Sequence, residues 1–345
     1  MVRALVLASL MGVVAVAPAG ATTHIVDVNG GYDFTAIGPA VTAAADGDTV
    51  LVNPGTYTGP ENREIFPGAK NLVIESSGTW EDTVIDCEAA GRAFFFYGAG
   101  VDSATVLRGF TITHGWARGA TEDGGGAIQC QDATPIIEDC VFVDNEGNFA
   151  GAVKFLYGDA VIRSCTFVGN EAEYGAALHS SYCSPLITRC TFVNNTATGF
   201  GGAFRAYSGS PVLRNCTFAQ NSGAAGGGCL QFDGTAEAPI VDRCIIAFGT
   251  QGRPLGGHGA TTVHSIVFAN AAGDSLLGPH HDNAFVDPLF CGVAGGIVTL
   301  CANSPALPVH NPWSLSVGHL GQGCSECASA ATAVTWGAIK AMFAE

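Results

Sequence analysis

The sequence has few charged residues and very few cations. Charged side chains make up 13% of the 345 residues, and 14 Lys and Arg stand against 30 Asp and Glu, which gives a formal net charge of −16. Long surface helices need Lys, Glu and Arg on their solvent side, so this composition argues against a mainly helical protein. A protein that binds nucleic acids or polyanionic polysaccharides needs a positive surface potential. Nucleic acid is therefore excluded as a partner, and a polyanionic glycan would need a bridging cation.

Long hydrophobic runs are also missing after the N-terminus. Residues 1–21 contain one early cation, Arg3, then an apolar run from Ala4 to Ala17 and a small-residue site that ends at Ala21. This pattern is typical of a cleavable secretion signal, and the run is shorter than the ~20 residues that a membrane-spanning helix needs. We therefore expect export, cleavage near Thr22 and no transmembrane segment in the mature chain. A membrane anchor is the alternative.

Glycine and apolar residues are abundant instead. The chain contains 47 Gly, and 48% of its residues are hydrophobic, so it can bury a large core while turning often. A cysteine recurs through the middle of the chain, with steps of 25, 25, 26 and 28 residues between successive copies. The recurring cysteines are Cys140, Cys165, Cys190, Cys216 and Cys244.

Each repeat contains three short β-prone segments. The first is a Cys-x-Phe segment that ends in an asparagine, and the second is a small apolar segment after glycines, as in the "GGAI" of Gly125 to Ile128. The third is an aliphatic pair just before the next cysteine. Three strands in about 25 residues, separated by turn residues and without a helical period, predict one coil of a three-sided parallel β-helix. The asparagines are Asn145, Asn170, Asn195 and Asn221.

Coils stacked about 4.8 Å apart place equivalent residues in files along the solenoid axis. We expect the cysteines, the phenylalanines and the aliphatic pairs to form internal files. The asparagines are expected to form a corner file, in which each side-chain amide bonds to the coils above and below. The predicted fold class is all-β, a single-stranded parallel β-helix of about nine or ten coils with a short N-terminal capping helix.

The ends of a solenoid need caps, because the terminal coils expose open strand edges. An amphipathic pattern from Phe34 to Ala45 predicts the capping helix, and the repeat disappears after Phe285. The predicted organisation is a signal peptide (1–21), an N-terminal cap (22–48), the β-helix (49–284), a C-terminal cap (285–327) and a linker with a short terminal segment (328–345).

Two motifs carry a resemblance to known families. The segment "GDTVLVNPGTY" (Gly47 to Tyr57) resembles the opening of pectin-lyase-like right-handed β-helices. The "GGAI" motif and the "FxxN" motif, which ends at each of the four asparagines, resemble repeats of bacterial polymorphic outer membrane proteins. The resemblance implies a right-handed β-helix in a bacterial protein that is secreted or held at the cell surface.

Thirteen cysteines in an exported chain raise the question of disulfides. The five recurring cysteines would point the same way from successive coils, which is poor geometry for a bridge, so we expect them to be buried thiols. Cys291 and Cys301 are candidates for a disulfide, and Cys324 and Cys327 are a second candidate pair.

The sequence contains no recognisable catalytic set. The hydrolases of the resembling family carry a paired-aspartate motif, an Asn-Thr-Asp, a Gly-His-Gly and an Arg-Ile-Lys on neighbouring coils. Here only Gly257-His258-Gly259 is present and no two aspartates are adjacent, so we assign no catalytic residue. We expect no cofactor, with one option left open: the acidic residues Asp123, Asp139 and Asp144 are candidates for Ca²⁺, against a simply solvated acidic loop.

Arginines and aromatic residues recur near the repeat. The arginines are interpreted as outer-face residues paired with acids, with contact to a ligand as the alternative. The aromatic residues fall in or near predicted corners, where they either pack or face a sugar. The two sets are Arg108, Arg163, Arg189, Arg214 and Arg243, and Trp80, Trp116, Phe149, Tyr174 and Phe200.

Two hypotheses for function follow. The first is an exported, non-catalytic β-helix that serves as a cell-surface or extracellular adhesion, glycan-binding or structural module, with glycans or surface proteins as partners. The second is a polysaccharide lyase or glycoside hydrolase of the same fold with an unrecognised active site. The oligomeric state is not predicted.

Overall fold

The computed structural model describes residues 20–119, 124–234, 237–325 and 327. Apart from its last two residues, the predicted signal peptide (1–21) lies outside this part of the chain. The predicted linker and terminal segment (328–345) also lies outside it.

The described chain winds into a parallel β-solenoid of eleven rungs. Three ladders of parallel strands form its sides, and in most rungs the chain passes from sheet 1 to sheet 2 to sheet 3. The all-β parallel fold is as predicted, whereas the number of rungs exceeds the nine or ten expected. Sheet 1 consists of Thr23–Val26, Thr49–Val52, Val73–Ser76, Val106–Arg108, Ile136–Glu138, Val161–Arg163, Leu186–Thr188, Val212–Arg214, Ile240–Asp242, Thr261–Val263 and His280–His281.

Sheets 2 and 3 complete each rung. Sheet 2 consists of Gly55–Tyr57, Thr83–Asp86, Thr111–Thr113, Val141–Val143, Thr166–Val168, Thr191–Val193, Thr217–Ala219, Ile245–Ala247 and Ile266–Phe268. Sheet 3 consists of Phe94–Tyr97, Ile128–Gln131, Val153–Leu156, Leu178–Ser181, Phe204–Tyr207, Ser222–Asp233 and Gln251–Gly257, with the two-residue strands Trp116–Ala117, Glu146–Gly147, Glu171–Ala172 and Thr196–Ala197.

The repeated side chains lie in register from rung to rung. The rings of Phe142, Phe167, Phe192 and Phe218 stack in the interior with centroid distances of 4.9, 4.8 and 4.6 Å. The recurring cysteines are free, buried thiols one residue before each sheet 2 strand. Burial raises the pKa of the Cys140 and Cys165 thiols well above the usual range. These thiols therefore act as small apolar groups.

The asparagines form a buried ladder at the corner between sheets 2 and 3. The Nδ2 of Asn145 donates to Oδ1 of Asn170 at 3.0 Å, and the same bond joins Asn170 to Asn195 and Asn195 to Asn221 at 2.9 Å. Each carboxamide also forms hydrogen bonds with backbone groups of neighbouring rungs. For example, Asn170 Nδ2 donates to the Phe142 carbonyl at 3.0 Å. The ladder satisfies polar groups that the turn would otherwise leave buried and unpaired.

A short helix, Ile37–Ala43, covers the N-terminal end. Its buried face contains Ile37, Ala40 and Val41, and Asn62 Oδ1 accepts a hydrogen bond of 2.8 Å from the Ile37 amide. Asn62 ends the 3₁₀ turn Pro60–Asn62. The region predicted as a cap (22–48) also contains the strand Thr23–Val26, which pairs with Thr49–Val52, so the first rung begins earlier than expected.

The C-terminal region, which was predicted to cap the end, lies along the side of the solenoid instead. We call it the wing (residues 285–325 and Cys327). Its strands are Phe290–Gly292, Ile297–Cys301 and Gln322–Cys324, with the 3₁₀ turn Val293–Gly295. The outer face of sheet 2 is apolar at Val168, Val193 and Ile245, and the wing buries it with Phe290 and Val298.

Two disulfides hold the wing together, and they differ from the predicted pairs. Cys291 is bonded to Cys324 and Cys301 to Cys327, not Cys291 to Cys301. The reason is the wing sheet, in which Ile297–Cys301 pairs with Gln322–Cys324 and so brings distant cysteines side by side. Within the described residues, no helix is long and apolar enough to cross a membrane.

Candidate functional site

The outer face of sheet 3 is unlike the outer faces of the other two sheets. Strands alternate their side chains between two faces, so in Val153–Leu156 the residues Val153 and Phe155 face the core. The residue between them, Lys154, faces outward, and so do its partners in the next rungs, His179 and Arg205. The result is a file of three basic residues in an acidic protein.

An aromatic shelf lies over this basic file. It consists of Phe149, Tyr174 and Phe200, each five residues before its basic partner. The Lys154 Nζ lies 4.4 Å from the Phe149 ring centroid, and the Arg205 guanidinium lies 4.5 Å from that of Tyr174. Cations are attracted to the faces of aromatic rings, and burial strengthens this attraction. The shelf residues are therefore packed, one of the two options predicted for them.

In the two rungs that flank the shelf, glycine replaces the aromatic residue and glutamine replaces the basic residue. These residues are Gly124 and Gln129 on one side and Gly226 and Gln231 on the other. A Cβ atom on Gly226 would lie 2.8 Å from both the Phe200 ring and Gln231 Oε1. Gln231 Oε1 accepts a hydrogen bond of 2.8 Å from the Gly227 amide, and Gln129 bonds to the Gly125 amide at 3.2 Å in the same way. The shelf therefore covers three rungs only.

The basic file is largely occupied by internal contacts. Arg205 pairs with Asp233 at 3.0 Å. His179 is only 1% exposed, and burial together with the charges of Arg205 and Lys154 lowers its pKa well below the usual range, so its ring is neutral. His179 Nε2 lies 2.9 Å from Ser181 Oγ. We interpret the file and shelf as a rigid support rather than as an anion site.

Three exposed tyrosines stand beside this support, at the corner that leads to sheet 1. We call Tyr157, Tyr182 and Tyr207 the tyrosine stack. They are 56%, 51% and 42% exposed, and their ring centroids are 5.3 and 5.5 Å apart. Tyr207 raises the pKa of the Tyr182 hydroxyl, which reflects how close the two side chains are. Tyr157 and Tyr182 have left-handed backbone conformations, with φ of 60° and 56°.

An aliphatic stripe on sheet 1 continues this surface around the corner. The outward residues of four consecutive strands are apolar, and Leu186 and Ile240 are exposed. Because sheet 1 follows sheet 3 within four or five residues, the stripe lies next to the tyrosines along the chain. The stripe residues nearest the tyrosine stack are Val161, Leu186, Val212 and Ile240, and the same outward position is also apolar in the three preceding strands, at Val73, Val106 and Ile136.

The second outward file of sheet 1 consists of ion pairs, interrupted by Thr188. Arg108 Nε lies 2.6 Å from Glu75 Oε2, and Glu138 lies between Arg108 and Arg163 and contacts both. Arg214 pairs with Asp242 at 3.0 Å. The predicted arginine file is therefore two files, because Arg189 and Arg243 follow the strands as left-handed turn residues.

The predicted calcium ligands are not brought together. Asp139 and Asp144 lie at opposite ends of the strand Val141–Val143, and Asp123 lies outside the described residues. Burial, followed by the nearby Glu138, raises the pKa of Asp139. Among the described His, Cys, Asp and Glu residues, the sole group with metal-binding proximity is that of Cys291, Cys301 and Cys324, which are held in disulfides.

A family model described as "Right handed beta helix region" matches residues 68–245 and 126–287, which together span well over half of the chain. The chain belongs to the right-handed β-helix family. No curated protein and no solved structure matches it.

The right-handed β-helix thus carries three exposed tyrosines at the corner between sheets 3 and 1, where the sequence analysis predicted no aromatic surface. Trp116 is exposed, whereas the predicted Phe149, Tyr174 and Phe200 serve as the shelf. The tyrosine stack was not predicted, although its members recur every 25 residues: Tyr157 and Tyr182 are equivalent positions on successive rungs, and Tyr207 lies one position earlier on the next rung, where it pairs with Ser181. That spacing was the available signal. His258, in the lone Gly-His-Gly motif, accepts a hydrogen bond from the Gly234 amide at 3.3 Å.

Proposed function

We propose that this protein is an exported, non-catalytic β-helix that binds neutral glycans at a cell surface or in the extracellular space. The observation that carries the proposal is the tyrosine stack, three exposed rings on successive rungs. Tyrosine is enriched at recognition surfaces, where its ring packs against the partner and its hydroxyl forms hydrogen bonds. The apolar faces of sugar rings suit such a surface.

The charge of the protein supports a neutral ligand. The net charge is −16, and the cations nearest the stack are already bound to aromatic rings or to Asp233. An anionic polymer would meet repulsion at long range. Because the rungs repeat about every 4.8 Å, the stack and the aliphatic stripe suit an extended chain that runs parallel to the solenoid axis.

The sequence motifs support the finer parts of the proposal. The signal-like residues 1–21 support export. The resemblances to pectin-lyase-like proteins and to polymorphic outer membrane proteins of bacteria support a role at a cell surface, although one fold hosts many functions.

Binding to a panel of insoluble and soluble neutral polysaccharides tests the proposal. The variant Tyr157→Ala/Tyr182→Ala/Tyr207→Ala removes the stack, and Tyr32→Ala, which is 54% exposed and distant in sequence, is the matched control. If each ring contributes ~1 kcal/mol, the triple variant loses about 100-fold in affinity. Equal binding by the triple variant and the wild type would refute the site. New reducing ends or unsaturated products, with or without Ca²⁺, would refute the non-catalytic role.

A further inference from the structure

A cavity lies between the wing and the outer face of sheet 2. Its volume is about 190 Å³. Val168 and Val193 form the solenoid wall, and Ile297, Val298 and Leu320 form the wing wall. Ile297 is 41% exposed, so the cavity opens to solvent on its side.

Glycine in the wing explains why the space is not filled. Gly295 and Gly296 line the cavity, and a Cβ atom on Gly295 would meet nothing within 4 Å. Elsewhere along the same interface, larger side chains close the gap, as where the Phe290 ring lies 6.1 Å from that of Phe248. Apolar cavities of about 150 Å³ stay dry and bind a benzene ring, so this cavity has room for one ring with a small substituent.

Two threonines give the solenoid wall a polar edge. The Thr191 hydroxyl lies 3.0 Å from Nδ1 of His319 and is therefore occupied. Thr166 holds the equivalent position one rung away, and its hydroxyl has no hydrogen-bond partner among the described residues. A ligand with an apolar ring and one hydroxyl would satisfy both features, because its ring would meet aliphatic carbon and its hydroxyl would meet Thr166.

We propose that the cavity between the wing and sheet 2 binds a single phenolic ring, with its hydroxyl bonded to Thr166. This proposal does not depend on glycan binding by the tyrosine stack, which lies at the corner of sheets 3 and 1. The ligand is a small free phenol, because the cavity has room for one ring with a small substituent.

Ligand-observed NMR titration of the full-length protein with p-cresol and toluene tests the proposal. Wild-type protein should bind both at millimolar concentration or below. Thr166→Val, which is nearly isosteric, should weaken p-cresol binding about fivefold and leave toluene binding unchanged, because one neutral hydrogen bond is lost. Val193→Phe or Val168→Phe should fill the space and lower the affinity for both ligands at least about tenfold.

Thr113→Phe is the control, since it adds the same ring to the same outward file two rungs from Val168. It should leave binding intact. N-acetyltyrosinamide should bind more weakly than p-cresol, because the cavity has room for only a small substituent. Equal binding of the two would overturn the assignment to a small free phenol and favour a tyrosine side chain of a partner protein. If folded wild-type protein binds neither ligand, or if Thr166→Val binds p-cresol like the wild type, the proposal is wrong. Thr166→Val keeps the test valid if a phenylalanine variant fails to fold.

Discussion

Replacing Asn195 by alanine should destabilise the solenoid more than any exposed Asn→Ala change. Asn195 Oδ1 accepts hydrogen bonds from the Asn170 amide at 3.1 Å and from Asn170 Nδ2 at 2.9 Å. Its Nδ2 donates to the Phe167 carbonyl at 3.0 Å and to Asn221 Oδ1 at 2.9 Å. The side chain is fully buried.

The expected loss can be worked out from these four bonds, since the fifth, from Asn195 Nδ2 to the Val193 carbonyl, is longer at 3.3 Å. Each contributes ~1 kcal/mol net, and the Asn170 amide, left buried without its partner, adds a penalty of about 1–3 kcal/mol. Asn170 Nδ2 and Asn221 Oδ1 keep other partners, the Phe142 carbonyl and the Asn195 amide. The bonds are therefore not all lost at full cost, and we expect about 3–5 kcal/mol.

Urea unfolding followed by circular dichroism measures this loss, with hydrogen exchange at the Asn170 amide as a local probe. Asn148→Ala is the control, because Asn148 is half-buried and lies outside the asparagine ladder, where its Nδ2 donates to the Gly119 carbonyl at 3.1 Å. Asn170→Ala/Asn195→Ala should cost less than the sum of the single changes, because the two residues share bonds. A loss under about 1 kcal/mol for Asn195→Ala, or one equal to that of Asn148→Ala, would refute this account of the ladder.

Three further predictions follow from other parts of the fold. Phe192→Ala should lower the free energy of unfolding in urea by about 3–5 kcal/mol, because it removes a ring from the middle of the buried phenylalanine stack. A loss as small as that of Phe66→Ala, which changes an exposed ring, would contradict this. A thiol reagent should label none of the nine free cysteines in the native protein, because all nine are buried, and all nine after denaturation without a reductant. For Cys183 and Cys87, burial also raises the pKa, to about 11 and about 12; rapid native labelling would show that the thiols are accessible. Hydrogen bonds from the amides of Thr22 and Ala45 and from His24 lower the pKa of Asp48 to about 2 from 3.8, so the stabilisation it provides should be present above its usual pKa and be lost as the pH falls toward 2. The protection factors for hydrogen exchange in Thr23–Val26, which correct for the intrinsic effect of pH, should therefore fall over that range, and Asp48→Asn should abolish this fall. An unchanged profile of protection factors in the variant would exclude Asp48 as the cause.

The rungs were predictable because their spacing is nearly constant. Copies of Cys-x-Phe at steps of about 25 residues determine the register, and the register determines which residues stack. The terminal rungs were harder to count, since Thr23–Val26 and His280–His281 lack the repeated motif and join sheet 1 only by pairing with a neighbour. Their existence depends on contacts that no local pattern encodes.

The position of the wing was not predicted, although part of the signal was present. In each "TFV" strand the phenylalanine faces the core, so the valine that follows it faces outward. A file of outward valines forms an exposed apolar surface, which indicates that another part of the protein packs over it. What covers it depends on the path of some forty residues without repeats. The disulfide pairs followed from that path, and connectivity among four cysteines cannot be derived from spacing alone.

The equivalence of neighbouring rungs bears on how the length of this molecule can change. Cys165 and Cys190 occupy the same position, so excising the 25 residues from Thr166 to Cys190 would join Cys165 to Thr191 at a junction that already exists. The surfaces on either side of the excision would meet partners of the same shape and chemistry. Duplication or loss of the gene segment for such a unit would lengthen or shorten the solenoid by about 4.8 Å, the spacing of one rung.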